Sequence, residues 1–473
     1  MSCWKTMPAE TLNPWGTDAI VDTIVAISTP PGRGGIGIVR LAGPESFAFA
    51  ARVLRLGAPL EHGRARFARV LDPADDAGTA TIDDAIVTPF VGPQSYTGDD
   101  LVEIAAHGSP VVLEALVQQA LALGARLAEP GEFTRRAFLS GRLDLTQAEA
   151  VHDLIAAQTL DQARVAAQQL GGAMSRRVAA PKGSLLHLIA LLEAGMDFAS
   201  GELDDVDVVA PSQIDAEIEE TQRPLEELAA SFRRGQLMRS GAALALVGRP
   251  NAGKSSIFNR LLDRERAIVT PVPGTTRDTV EESLALGGIP VRLIDTAGLR
   301  MEGDDAADEA ERQGIARSLE ALADADLVLL VHDATVPWSE EERSLATGLQ
   351  GRPHLVVENK VDLAGGASSS GLLATSALTG EGIDALRTAI LHELKAEGAP
   401  ADAGALNNLR QQQAITDTLT ALEAAREANT AGLPHELILL DLHTALRALD
   451  SLTGATTPDD ILGMIFATFC IGK

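Results

Sequence analysis

Cysteine is scarce in this sequence of 473 residues, and the two that occur, Cys3 and Cys470, stand near opposite ends. Cysteines so few and so far apart do not suggest a disulfide framework and fit a reducing compartment. No apolar run approaches the ~20 residues that span a bilayer. The first seventeen residues lack a signal-peptide core and the arginine-rich character of a transit peptide, and the nine histidines lack the spacing of metal ligands. These absences predict a cytoplasmic protein.

Positive charge is also scarce, because 39 lysines and arginines stand against 66 acidic residues, for a formal net charge of −27. This balance argues against broad, independent nucleic-acid binding, which Lys and Arg drive by neutralising phosphates. Two small basic clusters are either ordinary surface charge or nucleic-acid contacts: Arg64, Arg66 and Arg69, and Arg135, Arg136 and Arg142. The chain alone is therefore not expected to be a general nucleic-acid binder.

A glycine-rich run is the most informative pattern that is present: Gly248-Arg249-Pro250-Asn251-Ala252-Gly253-Lys254-Ser255. It follows Ala242–Val247, an apolar run suited to a buried strand, and leads into Ser256–Leu262, which is typical of a helix. Glycines let backbone N–H groups point at phosphate oxygens, Lys254 supplies a positive charge, and the Ser255 hydroxyl can ligate Mg²⁺. The run predicts a nucleotide-binding P-loop.

Three further nucleotide-reading motifs follow in the expected order: Gly274-Thr275-Thr276-Arg277-Asp278, Asp295-Thr296-Ala297-Gly298 and Asn359-Lys360-Val361-Asp362. Thr276 can reach Mg²⁺ only when the γ-phosphate is present, while Asp295 can hold the Mg²⁺ shell and the Gly298 N–H can sense the γ-phosphate. The Asp362 carboxylate can accept from the two N–H groups on the guanine edge, which adenine lacks. Thr375-Ser376-Ala377 would complete the base pocket, so a guanine-nucleotide (G) domain is predicted at about 240–388.

Water activation is not explained by these motifs, because Leu299 stands where Ras-type enzymes place the glutamine that orients the attacking water. Acidic candidates lie within Glu302–Glu311, although the composition of that stretch alone favours a solvated charged loop. The amide oxygen of Asn251 can serve a monovalent cation in place of an arginine finger, or can merely fix the loop geometry.

The rest of the chain predicts an α/β module and a helical domain, so that its length fits about three domains. Short β-like runs occur between residues 18 and 125, at Thr23–Ile27, Ile36–Leu41, Ala85–Thr88 and Leu101–Ala106. Helical spacing of apolar residues follows in Leu145–Leu170, Leu185–Phe198, Leu409–Thr430 and Leu433–Thr453. We therefore predict an N-terminal extension at 1–17, the α/β module at 18–125, and a helical domain in two halves, 126–239 and 389–473, with the G domain inserted. Gly365–Gly371 is predicted to be a short flexible loop.

Over nearly its whole length the sequence resembles the MnmE (TrmE) family of tRNA modification GTPases. The motifs that carry the resemblance are the P-loop set, Thr29-Pro30-Pro31-Gly32-Arg33-Gly34-Gly35, Pro130-Gly131-Glu132-Phe133-Thr134-Arg135-Arg136-Ala137-Phe138, and the terminal Phe469-Cys470-Ile471-Gly472-Lys473. The resemblance implies a multidomain α/β plus all-α protein, with an N-terminal folate-binding and dimerisation module, a discontinuous helical domain and an inserted Ras-like P-loop G domain.

For the G domain, the resemblance implies Mg²⁺ at Ser255 and Thr276, potassium at Asn251, Thr270, Val272 and Thr275, and Glu311 as the residue that orients water. It also implies the following GTP-contacting residues: Asn251, Ala252, Gly253, Lys254, Ser255, Ser256, Thr270, Pro271, Val272, Pro273, Gly274, Thr275, Thr276, Asp295, Thr296, Ala297, Gly298, Asn359, Lys360, Asp362, Ser376 and Ala377. Hydrolysis is then expected to be stimulated by potassium when two G domains meet.

For the N-terminal module, the resemblance implies a reduced folate held by Arg40, Glu103, Arg142 and Lys473. Arg142 stands where relatives have lysine, which keeps the charge but not the geometry. The glycine run Pro30–Gly37 lacks a Lys-Ser/Thr ending, so by itself it is typical of a tight turn before a strand, whereas the resemblance favours a ligand role. Cys470 is implied to have a catalytic or positioning role, although a free cysteine is more often a buried small hydrophobe.

The function implied is that of a homodimeric GTPase acting with the flavoprotein MnmG (GidA), as a heterotetramer, on the wobble uridine of certain tRNAs. It would add an aminomethyl or carboxymethylaminomethyl group at carbon 5, with the one-carbon unit from a 5,10-methylene- or 5-formyl-tetrahydrofolate. The partner would supply much of the grip on tRNA that this acidic chain lacks. The alternative is a regulatory or ribosome-assembly GTPase without modification chemistry, which would need neither the N-terminal module nor the terminal Cys-Ile-Gly-Lys.

Overall fold

The computed structural model describes residues 22–75, 77–199, 209–262, 283–295, 325–364, 372–394, 404–455, 462 and 465–472. The chain forms two compact units. The first contains Met1–His152, Leu170–Ser175 and Leu446–Lys473, and the second contains Asp153–Gln169 and Arg176–Ala445. Within the described ranges, no helix is both long enough and apolar enough to cross a membrane.

The first unit is built on a seven-stranded sheet with the order β3-β4-β5-β6-β2-β1-β7, in which only β1 and β7 pair in parallel. Its strands are β1 (Ile24–Ile27), β2 (Gly34–Ala42), β3 (Leu54–Leu56), β4 (Arg66–Leu71), β5 (Thr81–Phe90), β6 (Leu101–Gly108) and β7 (Arg126–Leu127). Alternate residues point to opposite faces, so Val87 and Ile104 are buried while Ile86 is exposed. Helices α1 (Ser46–Val53) and α2 (Pro110–Ala122) contribute to the buried core of this sheet.

The C-terminal segment of the chain returns to this first unit. Helix α3 (Glu132–Leu139) and the start of α4 (Leu145–Ala156) supply Phe138 and Leu145 to an apolar cluster. Leu462, Phe466 and Phe469 complete that cluster. The last residues are thereby held against the start of α3, where Ile471 forms a β-bridge with Pro130.

The following helices have most or all of their residues in the second unit: α5 (Leu160–Leu170), α6 (Ala173–Ala199), α7 (Pro211–Ala230), α8 (Phe232–Ser240), α12 (Leu409–Thr430) and α13 (His435–Thr453). The predicted helical stretch Leu145–Leu170 is divided into α4 and α5. The division is at Thr159, whose hydroxyl accepts from Gln162 N at 3.1 Å while the Gln162 side chain accepts from Thr159 N at 3.1 Å. This reciprocal cap gives α5 a helix start of its own.

The second unit also contains a six-stranded sheet with the order β13-β12-β11-β8-β10-β9. Its strands are β8 (Ala242–Val247), β9 (Ser283–Leu286), β10 (Ile289–Asp295), β11 (Leu327–Asp333), β12 (His354–Asn359) and β13 (Leu373–Ala374), and all pairs except β9–β10 are parallel. The unit's other described helices are α9 (Lys254–Leu262), α10 (Glu340–Gly348) and α11 (Ile383–Glu393). Because β8 lies between β11 and β10, the carboxyl ends of these strands form the crevice in which such sheets bind ligands.

Candidate functional site

The P-loop connects the buried strand β8 to helix α9 and is shaped by left-handed backbone at Gly248, Asn251 and Gly253, with φ of 146°, 65° and 91°. A Cβ atom on Gly248 would lie 2.2 Å from the Val331 carbonyl oxygen, and one on Gly253 would lie 2.1 Å from Asn359 Nδ2. Only glycine fits at these two positions, because the loop folds closely over the neighbouring strand ends.

Lys254 folds back across this loop. Its Nζ donates to the carbonyl oxygens of Gly248, at 2.8 Å, and Arg249, at 3.0 Å, and the residue is only 8% exposed. Ser255 and Ser256 are exposed in the first turn of α9, where the helix dipole favours an anion. The loop, the lysine and the helix start together offer backbone N–H groups and positive charge that are suited to the phosphates of a nucleotide.

Asn359 joins the phosphate side of the site to the base side. It is buried, its Nδ2 donates to Ala252 O at 2.9 Å, and its Oδ1 accepts from Ala377 N at 3.1 Å. Ser376 is also buried, and its hydroxyl accepts from Thr379 N at 3.1 Å. The structure therefore brings together the predicted P-loop, Asn359 and the Ser376-Ala377 loop, while Asp362 is exposed beside them.

Asp333 is a residue at this site that the sequence motifs do not include. Its Oδ2 lies 2.6 Å from Lys360 Nζ, and its Oδ1 accepts from Thr335 N at 3.0 Å and Thr335 Oγ1 at 2.7 Å. Burial alone raises the pKa of Asp333, but the hydrogen bonds from Lys360 and Thr335 outweigh it and hold the pKa below 3.8. The sequence feature that could have identified Asp333 is an acidic residue at the end of a buried apolar strand, which is where α/β sheets place ligand-binding groups.

Several predicted nucleotide and cation ligands lie outside the described residues. They are Thr270, Pro271, Val272, Pro273, Gly274, Thr275, Thr276, Thr296, Ala297, Gly298, the water-orienting candidate Glu311 and the side chain of Asp295. The predicted loop Gly365–Gly371 also lies outside them, and so does Lys473.

A second polar site lies on the sheet of the first unit, where β2 and β6 place Arg40 opposite Glu103. The carboxylate of Glu103 accepts from Arg40 Nη2 at 2.6 Å and Nε at 3.1 Å, and the Arg40 side chain is 15% exposed. The guanidinium lies 5.5 Å from the ring centres of both Tyr96 and Phe133. Burial raises the pKa of Tyr96, whose hydroxyl is 2.9 Å from Thr134 Oγ1. This charged pair with aromatic neighbours is suited to a planar polar ligand.

The C-terminal tail reaches this second site. Arg40 Nη1 is 3.5 Å from the Gly472 carbonyl oxygen, and the Cys470 carbonyl oxygen accepts from Gly131 N at 3.4 Å. Gly472 has φ of 92°, and a Cβ there would lie 2.5 Å from Ile27 O. Cys470 is a free, exposed cysteine, so the alternative of a buried small hydrophobe is wrong. Arg142 follows α3, and its stem lies beside Gly98.

A buried ionic network underlies the start of α3. Glu132 is 2% exposed and accepts from Arg126 Nη2 at 2.6 Å and Arg136 Nη2 at 3.0 Å, while Arg136 also contacts Asp22 Oδ1 at 2.7 Å. Burial alone raises the pKa of Glu132, but hydrogen bonds from Arg126, the Glu129 N–H and Arg136 hold it below 4.5. The network fixes the helix that presents Phe133 beneath Arg40.

The two basic clusters are largely engaged with acidic side chains. Arg64 and Arg66 both pair with Glu61, and Arg69 pairs with Asp84 at 3.6 Å. Arg135 is 3.6 Å from a Glu129 oxygen, and Arg136 is buried in the network with Glu132. These pairs favour ordinary structural and surface charge over a dedicated nucleic-acid contact. Within the run Pro30–Gly37, Pro31 and Gly32 form bends and Gly34–Gly37 already belong to β2, as expected for a turn before a strand.

Comparisons with known proteins identify the family of this chain. The family model for the GTP-binding protein TrmE N-terminus matches residues 23–142, and that for the MnmE helical domain matches residues 145–470. The tRNA modification GTPase MnmE of Koribacter versatilis is 54% identical over 460 residues, covering 96% of this chain and 99% of the relative. Those of Chloroflexus aurantiacus and Geobacter sulfurreducens are 42% and 41% identical, each covering 96% of this chain and 100% of the relative. With its P-loop site and its docked Cys-Ile-Gly tail, the chain belongs to the MnmE family of tRNA modification GTPases, and it is a GTP hydrolase of tRNA modification.

Proposed function

We propose that this GTPase works in the cytoplasm with the flavoprotein MnmG to add an aminomethyl or carboxymethylaminomethyl group at carbon 5 of the wobble uridine in certain tRNAs. One observation carries the proposal: the exposed Cys470 stands on a tail whose Gly472 carbonyl oxygen is 3.5 Å from Arg40. A GTPase that acts only as a switch has no need of a cysteine beside a charged ligand site.

A reduced folate, with its transferable one-carbon unit, fits the chemistry of the first-unit site. Arg40 and Glu103 offer donors and acceptors side by side, and Tyr96 and Phe133 offer aromatic surface. A pterin ring is planar and carries hydrogen-bonding groups on its edges, so it can use both features. Arg142 and Lys473 would hold the acidic tail of the folate, and Cys470 would act on or position the one-carbon unit.

For hydrolysis, Ser255 and Thr276 would hold Mg²⁺, and Glu311 would orient the attacking water. Potassium would bind at Asn251, Thr270, Val272 and Thr275 and replace an arginine finger. The exposed position of Asn251 and its φ of 65° support this role, because the side chain is free to meet a cation at the loop surface. Movement of two paired G domains would rearrange the complex without taking part in the carbon chemistry.

A homodimer would cover an apolar row on the first-unit sheet. Phe67, Ile86, Ala105 and Ile38 are neighbours on β4, β5, β6 and β2, so their side chains share one face. Phe67 is 57% exposed and Ile86 is 45% exposed. An exposed apolar row across several strands is suited to a protein interface, and we propose a second copy of this chain as its partner. The flavoprotein would then join this dimer in a heterotetramer and supply the contacts to tRNA that a net charge of −27 does not favour.

The proposal is tested by mass spectrometry of wobble nucleosides in tRNA from cells that lack this chain. The cells are rescued with the intact protein, with Cys470→Ser, or with Cys3→Ser, which changes the chain's other cysteine as a matched control. We expect the aminomethyl-type nucleoside to disappear without the chain, and to return with the intact protein and Cys3→Ser but not with Cys470→Ser. Nucleosides that do not depend on the chain would instead favour a regulatory or ribosome-assembly GTPase.

A further inference from the structure

We propose that Asp333 is a positioning residue for the guanine nucleotide, because it holds the Lys360 side chain in place before the nucleotide binds and so pre-forms one wall of the base site.

The strand register places Asp333 beside the guanine-reading motif. Strands β11 and β12 are parallel, Asp333 is the register partner of Asn359, and Ala334 N donates to Asn359 O at 2.9 Å. Asn359 is itself tied to the P-loop through Ala252 and to the base loop through Ala377. Any shift of the Asp333 backbone is therefore opposed by the same contacts that assemble the nucleotide site.

The carboxylate of Asp333 is held in one orientation. One oxygen accepts from the backbone and hydroxyl of Thr335, which leaves the other oxygen for Lys360 at 2.6 Å. The side chains of Asp333 and Lys360 are 17% and 30% exposed, so the pair is shielded from water more than an ordinary surface ion pair. The lysine head group is thus directed to one fixed point.

The backbone of Lys360 is strained in a way that needs such support. Its φ is 65°, a left-handed conformation that residues with a Cβ seldom adopt and that is found at ligand clamps. The turn is closed by Leu363 N donating to Lys360 O at 3.0 Å and Val361 N donating to Thr375 O at 3.2 Å. This turn leaves Asp362 exposed, two residues from the fixed lysine.

The consequence for a nucleotide follows from this geometry. A guanine whose edge is read by Asp362 would lie close to Lys360, which is two residues away, and to the loop of Ala377, which Asn359 holds at 3.1 Å. A mobile Lys360 side chain would lose conformational entropy when the base binds. The side chain that Asp333 already holds loses little, so nucleotide binding is expected to be about tenfold tighter. Asp333 is expected to act on binding alone, since its partner touches no reacting atom.

If the Asp333–Lys360 ion pair instead competes with the nucleotide, the expected effect on binding has the opposite sign. If Lys360 must leave Asp333 to meet the nucleotide, the ion pair competes with the ligand, and removing the carboxylate would tighten binding. The sign of the effect therefore separates positioning from competition.

The test uses the full chain and measures GDP dissociation constants together with kcat and KM for GTP hydrolysis. We expect Asp333→Asn to weaken GDP binding about tenfold and to raise the KM for GTP with little change in kcat. This pattern is expected when the bound substrate and the transition state lose the same binding energy. Lys360→Ala should also weaken binding, and Asp333→Asn combined with Lys360→Ala should bind GDP no more weakly than Lys360→Ala alone. Asp326→Asn is the matched control, because Asp326 is an acidic residue at the other end of β11, pairs with Arg233 at 3.2 Å, and should leave GDP binding unchanged.

Unfolding temperatures measured without nucleotide show whether each variant folds, and Asp333→Glu offers a second variant that keeps the charge and should recover part of the affinity. Unchanged or tighter GDP binding by Asp333→Asn, or fully additive losses in the double variant, would overturn the proposal. A fall in kcat with unchanged KM would overturn it as well, because it would place Asp333 in the chemical step.

Discussion

The nucleotide site and the tail site, where Gly472 of the C-terminal tail reaches the Arg40–Glu103 pair, are assembled in different ways. The P-loop, Asn359 and Ala377 lie at the carboxyl ends of parallel strands, and each contributes through a short motif that follows its own strand. At the tail site, Arg40 and the Gly472 carbonyl oxygen meet across 432 positions of sequence. The nucleotide site therefore depends on short local motifs, whereas the tail site forms only when the C-terminal tail packs against the first-unit sheet.

This comparison predicts that the two sites can be broken separately. The largest effect is expected for Lys254→Ala, which removes the positive charge that reaches over the P-loop. Loss of one such electrostatic contact typically lowers kcat by about 10²–10³-fold, so GTP turnover should nearly vanish. Thermal stabilisation by 5-formyl-tetrahydrofolate serves as the control and should stay unchanged. Loss of the folate response in this variant would contradict the separation.

A second large effect is expected for Glu132→Gln, which removes the buried carboxylate between Arg126 and Arg136. Breaking such a buried pair costs roughly 3 kcal/mol, since two guanidinium groups lose their shared partner. Glu129→Gln is the matched control, because the Glu129 side chain is 63% exposed and should change the free energy of unfolding little.

Glu132→Gln should also change how the free energy of unfolding depends on pH. The pKa of Glu132 is lowered in the folded chain, so its stabilising contribution is complete above the ordinary value of 4.5 and is lost as the pH falls through the folded value. Denaturant unfolding from pH 7 to pH 3 should show that Glu132→Gln loses less stability below about pH 4.5 than the intact chain does. Equal acid sensitivity of the two proteins would show that Glu132 is not the group responsible.

The smallest effect is expected for Gly472→Ala, which perturbs only the tail. The added Cβ would lie 2.5 Å from Ile27 O at a residue whose φ is 92°, so the tail must shift. We expect about tenfold less modified nucleoside in tRNA, with GTP turnover unchanged. Gly432→Ala has similar backbone strain, with φ of 68° but nothing within 4 Å, and should retain full activity. If both variants lost the same amount of modified nucleoside, backbone strain and not displacement of the tail would be the cause.

The sequence predicted the local parts of the fold well. The strand Ala242–Val247 and the helix Leu409–Thr430 have the predicted bounds, and the four β-like runs of the N-terminal module lie in β1, β2, β5 and β6. Fully buried parallel strands and amphipathic helices carry their pattern in neighbouring residues, so periodicity is sufficient to find them. The position of the P-loop between a buried strand and a helix was likewise predictable, because the apolar run before it and the helical pattern after it are both local.

What the sequence did not predict depends on distant partners. The ionic network of Glu132 joins Asp22, Arg126 and Arg136 from three segments, and nothing in the local pattern of any one of them indicates the others. Asp333 was missed for the same reason, because its role depends on the register between β11 and β12. Arg40 and Glu103 were found through the family resemblance, and their antiparallel register explains physically why they meet.

The source of the new carbon on wobble uridine is the most direct test of the proposed folate role of the Arg40–Glu103 site. Purified chain, flavoprotein partner, unmodified tRNA, GTP and potassium are combined with methylene-tetrahydrofolate labelled with carbon-13 at the transferred position. The nucleosides are then analysed by mass spectrometry. We predict that the modified uridine carries the label, and that Lys254→Ala and Cys470→Ser each prevent its appearance. Modified uridine without the label would contradict the assignment of the Arg40–Glu103 site to a folate one-carbon donor.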